Sequence, residues 1–505
     1  MARNRDAFAL RANRNIIVII FALPLLCARP FCPFPAGVVD SFTPLTIPSS
    51  PCLVARNTNA NCVKRKNTLS LLPVLIPLCG HKCNIQRNSA PNDDTTITST
   101  ISPTVVKEME KETKTNQKVG IIGAGAISYA TAAILHENKH DPMIWSPSGK
   151  GTIDLFQSLE QQSSQTEGKD GILTVSGARD FKFTPRIASN LSQLVNENDI
   201  LIIALPANGH LKVFQEMAPL VLSHHVIIIS SHSSLGGLYL SQLLHDRFDK
   251  EKVPPIIAWG TTAATARQSS LTSVQICTVR SKIDLCTLPQ SYASTHGIAL
   301  CTNLFGTTKN SKQEEEEIFV ERNGLLAISL SNLNAQNHLG IALGNMSRME
   351  RGESWSQMLN ITPNIGRLLE ELDQERLRIA DACHVKVRTI FEHFSLSFHV
   401  PISSSISKMN FDMVHDLGID VNGPNDANSR YVTEDVPYGL TLIVVLGKLV
   451  GERAWLHESG INIISAMYGR EFEKENDLLD ALALDNVKSV EELDVAGRTG
   501  IITWK

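Results

Sequence analysis

Lys118-Val-Gly-Ile-Ile-Gly-Ala-Gly-Ala-Ile-Ser-Tyr-Ala-Thr-Ala-Ala-Ile-Leu135 holds a strand, a glycine turn and a helix start in one run. Val119 to Ile122 is short, apolar and largely β-branched, as suits a parallel strand covered on both faces. Gly123-Ala124-Gly125 supplies a tight turn, and a backbone without Cβ at Gly125 lets a pyrophosphate come close. The N–H groups and positive dipole end of the helix that starts at Ala126 and Ile127 would stabilise that anion. Gly123, Gly125, Ala126 and Ile127 are therefore cofactor-binding candidates. The third small position of the usual Gly-x-Gly-x-x-Gly is Ser128, a departure from the pattern.

Downstream of the turn, Asp141-Pro-Met-Ile-Trp145 reads as the second strand, whose end decides between dinucleotides. An acidic residue there would bind the ribose hydroxyls of NAD. Here the strand runs into Ser146-Pro-Ser-Gly-Lys150, with no carboxylate. The hydroxyls and Lys150 could accommodate a 2′-phosphate, which favours NADP over NAD and adds Ser146 and Lys150 to the cofactor set. Asp199 to Leu205 reads as the fourth strand, and its tail Leu205-Pro206-Ala207 would border the cofactor. His210 follows at a helix start with no evident orienting partner, which argues against catalysis. His225 to Ser230 is another buried strand, and the glycines of Ser231 to Gly237 either let the backbone pass the nicotinamide or only turn the chain. Pro255–Trp259, Val274–Val279 and Lys282–Leu288 are expected to extend the sheet, and the acidic run at residues 314–317 reads as solvated surface. The fold class is α/β: a doubly wound, mostly parallel sheet of the Rossmann type over residues 118–320, followed by an all-α domain over residues 321–475 and a C-terminal tail, 476–505.

In the helical half, Leu330 to Asn345 puts Asn334, His338 and Asn345 on one helical stripe flanked by Leu333, Leu339, Ile341 and Leu343. A buried polar group left unpaired costs roughly 1–3 kcal/mol, so these side chains either bond inside the protein or face a ligand. Pro363 to Cys383 is a long amphipathic helix on which Glu371, Glu375 and Arg378 read as exposed neighbours. Cys383 and His384 have no second ligand pair at a zinc-like spacing, so no metal site is expected. Arg430-Tyr-Val-Thr-Glu-Asp435-Val-Pro437 opens an apolar helix. Capping explains Glu434 and Asp435 as well as catalysis does, whereas Arg430 suits a bidentate clamp for a carboxylate.

Taken in order, Gly123-x-Gly125, Leu205-Pro206-Ala207, Asn334-x-x-Asn337-His338 and Arg430-x-x-x-x-Asp435 resemble the octopine/opine dehydrogenase family. The resemblance spans about residues 118–470; Trp259 to Arg267 fits the family's strand and loop only loosely. It implies a two-domain oxidoreductase that condenses the amino group of an L-amino acid with an α-keto acid and reduces the imine with NAD(P)H. It implies His338 as general acid/base, Asp435 orienting it, Arg430 holding a substrate carboxylate, and Asn334 and Asn337 at the substrate. Two-domain relatives acting on 2-hydroxy acids, ketopantoate or glycerol 3-phosphate share this plan, but usually rely on a lysine in the helical domain. A cofactor-binding but inactive regulatory protein is the alternative of another class.

The 505 residues suffice for two domains plus extensions, and 43% hydrophobic content with a net charge of −4 gives no polybasic bias toward nucleic acid or membrane. Small molecules are the expected partners, with a homodimer as the open quaternary option. Cys277, Cys286, Cys301 and Cys383 read as reduced core thiols. Residues 1–117 read as presequence and linker. Arg3, Arg5, Arg11 and Arg14 precede the apolar run Ile16 to Cys27, which is too short to span a bilayer as a helix, and no acidic residue stands between Asp40 and Asp93. This resembles the bipartite presequences of algae with secondarily acquired plastids. Organelle import is expected, plastid first, with a mitochondrial presequence, secretory signal or short membrane anchor as alternatives.

Overall fold

The structure is a computed structural model that describes residues 116–165, 173–309 and 313–505. The presequence reading and its six early cysteines lie outside the described residues.

Eight strands form the main sheet: β1 (Lys118–Ile122), β2 (Asp141–Trp145), β3 (Arg186–Ile187), β4 (Ile200–Ile203), β5 (Val226–Ile229), β6 (Ile256–Trp259), β7 (Ile283–Leu288) and β8 (Phe319–Glu321). Their spatial order is β8-β7-β6-β5-β4-β1-β2-β3. The run from β3 to β6 is parallel throughout and has the doubly wound order of dinucleotide-binding folds, with its switch point between β1 and β4. β7 is antiparallel to β6. Register aligns Ile121 with Ile202, and Ile202 with Ile228, so isoleucines from successive strands stack on one face. Those three pack with the helix Ala126–Glu137, whereas Ile122, Ile203 and Ile229 join a core that continues into the helical domain. The two halves thus share one apolar interior. Each fully buried isoleucine contributes roughly 1.5–3 kcal/mol, so that shared face is strongly held.

Val274–Val279 does not extend the main sheet. It belongs to Ser273–Val279, which pairs with Ala264–Ser270 and Leu173–Gly177 in a separate four-stranded sheet. The physical reason is its alternation of buried Val274 and Ile276 with exposed Gln275: one face is covered, whereas main-sheet strands are buried on both. This smaller sheet packs on the helix Ala126–Glu137.

The helical half also departs from expectation in places. Leu330 to Asn345 is not one helix; Gly324–Ser331 and Asn334–Glu350 are separated at Asn332, whose side chain accepts from Asn334 N–H and donates to the His232 carbonyl. Glu375 is buried rather than exposed. It accepts from Leu456 N–H at 2.7 Å and His457 Nδ1 at 2.9 Å, capping the start of the helix Trp455–Tyr468. Residues 476–505, set apart as a tail, instead form the helices Asp477–Leu482 and Val490–Thr499. Leu482, Leu493 and Ala496 are buried, and Ser241 donates to the Gly500 carbonyl at 2.9 Å, fixing this segment to the nucleotide half. Among the described residues no helix is long and apolar enough to cross a membrane.

Candidate active site

The glycine turn sits at the carboxyl end of β1. Gly123 has φ +135°, and a Cβ there would lie 2.3 Å from the Ala204 carbonyl oxygen, so only glycine fits. Ser128 donates to that same carbonyl at 2.9 Å. The serine at the third small position therefore fastens the helix to the end of β4, which accounts for the departure from glycine. Gly125 is different: a Cβ on it would meet nothing within 4 Å. No protein atom demands glycine there, and the open space admits a close ligand. The helix that follows has no side-chain cap and no acidic residue in its first turn, leaving the N–H groups of Ala126 and Ile127 and the dipole to an anion. These features fit the pyrophosphate of a dinucleotide.

At the end of β2, Ser146 is buried with its Oγ 3.2 Å from Ser148 Oγ. Lys150 opens the helix Lys150–Gln165, and its side chain lies outside the described part. The Leu205-Pro206-Ala207 turn follows β4 as read from the sequence, but its donor is engaged: Ala207 N–H gives its hydrogen bond to Glu434 Oε1 at 3.0 Å. That bond ties the cofactor end to the helical half. Ser231 to Gly237 does the same. Ser233 Oγ donates to the Tyr438 carbonyl at 3.1 Å, and Ser234 Oγ also bonds it. The left-handed backbone here falls on Ser231, Ser234 and Leu235, while Gly236 and Gly237 begin a helix.

The helical half brings together residues far apart in sequence. His338 lies on the helix Asn334–Glu350, and its Nδ1 is 2.7 Å from Asp435 Oδ2, 97 residues away. Because a carboxylate accepts, Nδ1 carries the hydrogen, and Nε2 is the nitrogen free for acid/base work. Asp435 begins a wide π-helical turn, Asp435–Leu440, between the short helix Arg430–Thr433 and Thr441–Val450. Gly439 lets this turn come close: a Cβ on it would stand 2.3 Å from Ala335 Cβ, one turn before His338. The Tyr431 ring stacks on the imidazole with centroids 3.5 Å apart and planes 11° from parallel, while its hydroxyl donates to Gln357 at 2.6 Å. Stack and carboxylate together fix the ring's plane and tautomer.

Burial pushes the His338 pKa below 6.5; Asp435 opposes this, and the guanidiniums of Arg430 and Arg267 add to it. At neutral pH the imidazole is therefore mainly neutral and ready to accept a proton. Arg430 lies beside this pair with its side chain 46% exposed, and its nearest carboxylate is Glu434 at 3.9 Å, beyond hydrogen-bonding distance. Burial raises the Glu434 pKa.

The asparagines divide. Asn337 is buried, and its Oδ1 has no hydrogen-bond partner among the described residues. Asn334 is half-buried at the start of the His338 helix. Asn345 is not at the site: it sits at a kink and donates to the Ile341 carbonyl at 3.0 Å within its own helix. Behind the helix start, Asp373 accepts from Gln336 and from Arg376, and Arg376 reaches the Leu330 and Arg388 carbonyls, all within the interior. Sequence reading missed Tyr431, and Glu434 as a seam residue. Tyr431 stands next to Arg430, but an aromatic at that spacing has the pattern of any core residue.

A doubly wound sheet whose glycine turn fits a dinucleotide, joined to a helical domain with a histidine–carboxylate pair, defines an NAD(P)-dependent dehydrogenase. Residues 321–468 match the family described as NAD/NADP octopine/nopaline dehydrogenase, alpha-helical domain. An opine dehydrogenase from Arthrobacter sp. (strain 1C) is 26% identical over 371 residues, covering 73% of this chain and 95% of that relative. Among solved structures, octopine dehydrogenase in complex with NADH and agmatine aligns with TM-score 0.57 at 15% identity, over 77% of this chain and 99% of the other. NADP+-bound yersinopine dehydrogenase aligns with TM-score 0.51 at 15% identity, over 76% and 98%. These last two show the shared fold. The helical half thus matches the octopine/nopaline dehydrogenase helical-domain family, and the chain as a whole is similar to an opine dehydrogenase.

Proposed function

We propose that this protein joins the amino group of an L-amino acid to an α-keto acid and reduces the product, with NADPH preferred over NADH. The observation that carries the reading is the His338–Asp435 pair at 2.7 Å, with Arg430 one helical turn before the aspartate. In this reaction the amine nitrogen attacks the keto carbon, water leaves as a C=N bond forms, and a hydride and a proton complete the secondary amine. The dinucleotide, when bound, supplies the hydride. His338 Nε2 exchanges the protons of the addition and dehydration steps, and Asp435 holds the imidazolium that forms. Arg430 anchors a substrate carboxylate by a bidentate contact. Asn337 Oδ1, buried beside the histidine, is an acceptor suited to the amine, with Asn334 at the same helix end. The preference for NADP rests on Ser146 and Lys150 in place of an acidic residue after β2. That the two bound relatives carry NADH and NADP+ respectively supports the cofactor class without deciding between its members. Organelle import, plastid first, stands as a proposal on the composition of residues 1–117.

The test mixes the purified protein with NADPH or NADH, pyruvate and a panel of L-amino acids. Cofactor should be oxidised only when both carbon substrates are present, and faster with NADPH. Keto-acid reduction without an amine would sink the condensation and indicate a 2-hydroxy-acid type of dehydrogenase. Tight cofactor binding with no turnover across the panel would point to a regulatory protein.

A further inference from the structure

Asn476 bonds two segments on which the candidate site depends and belongs to neither. It precedes the helix Asp477–Leu482 and is 2% exposed. Its Oδ1 accepts from Leu479 N–H at 3.2 Å, which caps that helix. Capping uses only the oxygen. The Nδ2 hydrogens go elsewhere, to Ser234 Oγ at 2.9 Å and to the Pro437 carbonyl at 2.8 Å. Pro437 offers only an acceptor and Leu479 N–H only a donor, so the partners themselves fix which end of the amide is nitrogen. An aspartate or a serine would cap as well, but neither supplies two further donors.

Both of those partners bear on the site. Pro437 stands two residues after Asp435 in the π-helical turn Asp435–Leu440, an uncommon arrangement found mostly at functional sites. The next residue, Tyr438, accepts at its carbonyl from Ser233 and Ser234, and its hydroxyl donates to Asp477 Oδ1 at 2.8 Å. Ser234 lies in the nucleotide-side segment 231–237, where Ser231, Ser234 and Leu235 hold φ of +60°, +49° and +54°. Left-handed backbone at three non-glycine residues persists only where the surroundings over-determine it. Here the fully buried Ser234 Oγ accepts from Asn476 and donates to the Tyr438 carbonyl. Asn476 thus ties a strained loop to an irregular turn.

We propose that Asn476 is a positioning residue: by bonding Ser234 and Pro437 at once, it sets where Asp435 stands against His338. It acts through the 2.7 Å contact between His338 Nδ1 and Asp435 Oδ2. The inference rests on the condensation reading for the use made of that pair, and on geometry alone for the brace. Asn476 and Ser234 both fall outside residues 321–468, so the brace is built from parts of the chain beyond the helical-domain match.

The experiment compares the full chain as wild type, Asn476→Ser, Asn476→Ala and Ser234→Ala. Three quantities are read: kcat and KM for the active substrate pair, the NADPH Kd from the fluorescence of the reduced nicotinamide, and the titration of the His338 ring. The last is followed by NMR with isotope-labelled histidine and assigned by its absence in His338→Ala. Serine keeps the cap but is too short to reach Ser234 and Pro437 together, so Asn476→Ser should melt above Asn476→Ala. In all three variants kcat should fall roughly ten- to hundredfold, the scale of loss for a misplacement of about 1 Å, with the NADPH Kd within about threefold. The His338 titration should move to lower pH, because burial and Arg430 disfavour the protonated ring and Asp435 favours it. A residue that only stabilised the fold would lower the melting temperature and leave that titration in place. Should Asn476→Ser fail to fold, Ser234→Ala removes one of the same bonds from the other side and decides the matter.

An unmoved His338 titration in Asn476→Ser and Ser234→Ala would overturn the inference, whatever kcat does. So would kcat within about twofold of wild type in both, leaving Asn476 as a helix cap and the condensation reading intact. A titration that moves in the variants of a protein with no turnover on any amine and keto-acid pair would support the brace and defeat the condensation reading.

Discussion

Between Gly123 and Ser128 the surface proposed for the dinucleotide is backbone, supplied by consecutive residues and set by one left-handed glycine and one uncapped helix. Around His338 the surface is side chains, drawn from the helix Asn334–Glu350 and the turn Arg430–Asp435. The first arrangement is fixed as soon as its strand and helix form. The second exists only when separate segments dock, and its geometry is as good as their packing. A cofactor shared by many enzymes can be held by a local device; a particular pair of substrates needs groups brought from several directions.

The largest effect should come from breaking the second end while sparing the first. His338→Ala removes the nitrogen proposed for acid/base work and touches none of the glycine turn. kcat should fall by about 10²–10⁴, the usual range for general acid/base catalysis, with the dinucleotide Kd within about twofold of wild type. A fall under about tenfold would take His338 out of proton transfer. A matching loss of dinucleotide affinity would mean that the two ends are not separable in this way.

The same contrast explains how much was legible in the sequence. Gly123, Gly125 and the apolar runs of β1, β4 and β5 could be read because their causes are local: a turn needing glycine, and strands buried on both faces. Ser273–Val279 shows the limit, since a short apolar run reveals that it is a strand before it reveals which sheet will accept it. Glu375 looked solvated because a charged residue on an amphipathic helix usually is; its partners, the N–H groups of Leu456 and His457, are 81 and 82 residues away. His338, Arg430 and Asp435 were singled out by resemblance to a family pattern, and the packing that brings His338 to Asp435 could not be read from spacing.

A smaller effect should come from loosening the seam without removing a functional group. In Gly439→Ala the new Cβ would sit 2.3 Å from Ala335 Cβ, so the turn carrying Asp435 must move away from the His338 helix by about 1 Å or more. Misplacement of that size can cost up to about 10²-fold in rate, and kcat should fall roughly tenfold with cofactor affinity unchanged. Adding Ala335→Gly should return most of the activity by reopening the space. If the double variant is no better than the single one, the close approach at Gly439 is not what sets the histidine–carboxylate geometry.

The smallest effect concerns histidines that hold the seam from the nucleotide side. His210 donates from Nε2 to the Leu205 carbonyl at 3.0 Å, and His232 Nε2 accepts from Gly237 N–H at 3.1 Å. Burial lowers their pKa values from 6.5 to about 4 and about 3. Both are neutral when folded, so below pH 6.5 the unfolded chain binds more protons than the native one. Their contribution to stability is complete above that pH and is lost progressively as pH falls toward the folded values. Between pH 7 and pH 5 the melting temperature should drop by on the order of 5 °C. His210→Gln keeps a donor for Leu205 but cannot take up a proton, so its melting temperature should fall less steeply over that interval. His338→Ala should change the slope less, because its neighbour Asp435 and its partial exposure offset the burial that disfavours its charge. An unaltered slope in His210→Gln would show that the acid sensitivity arises elsewhere. A slope flattened equally by His338→Ala would put part of the acid sensitivity at the His338–Asp435 pair rather than on the nucleotide side.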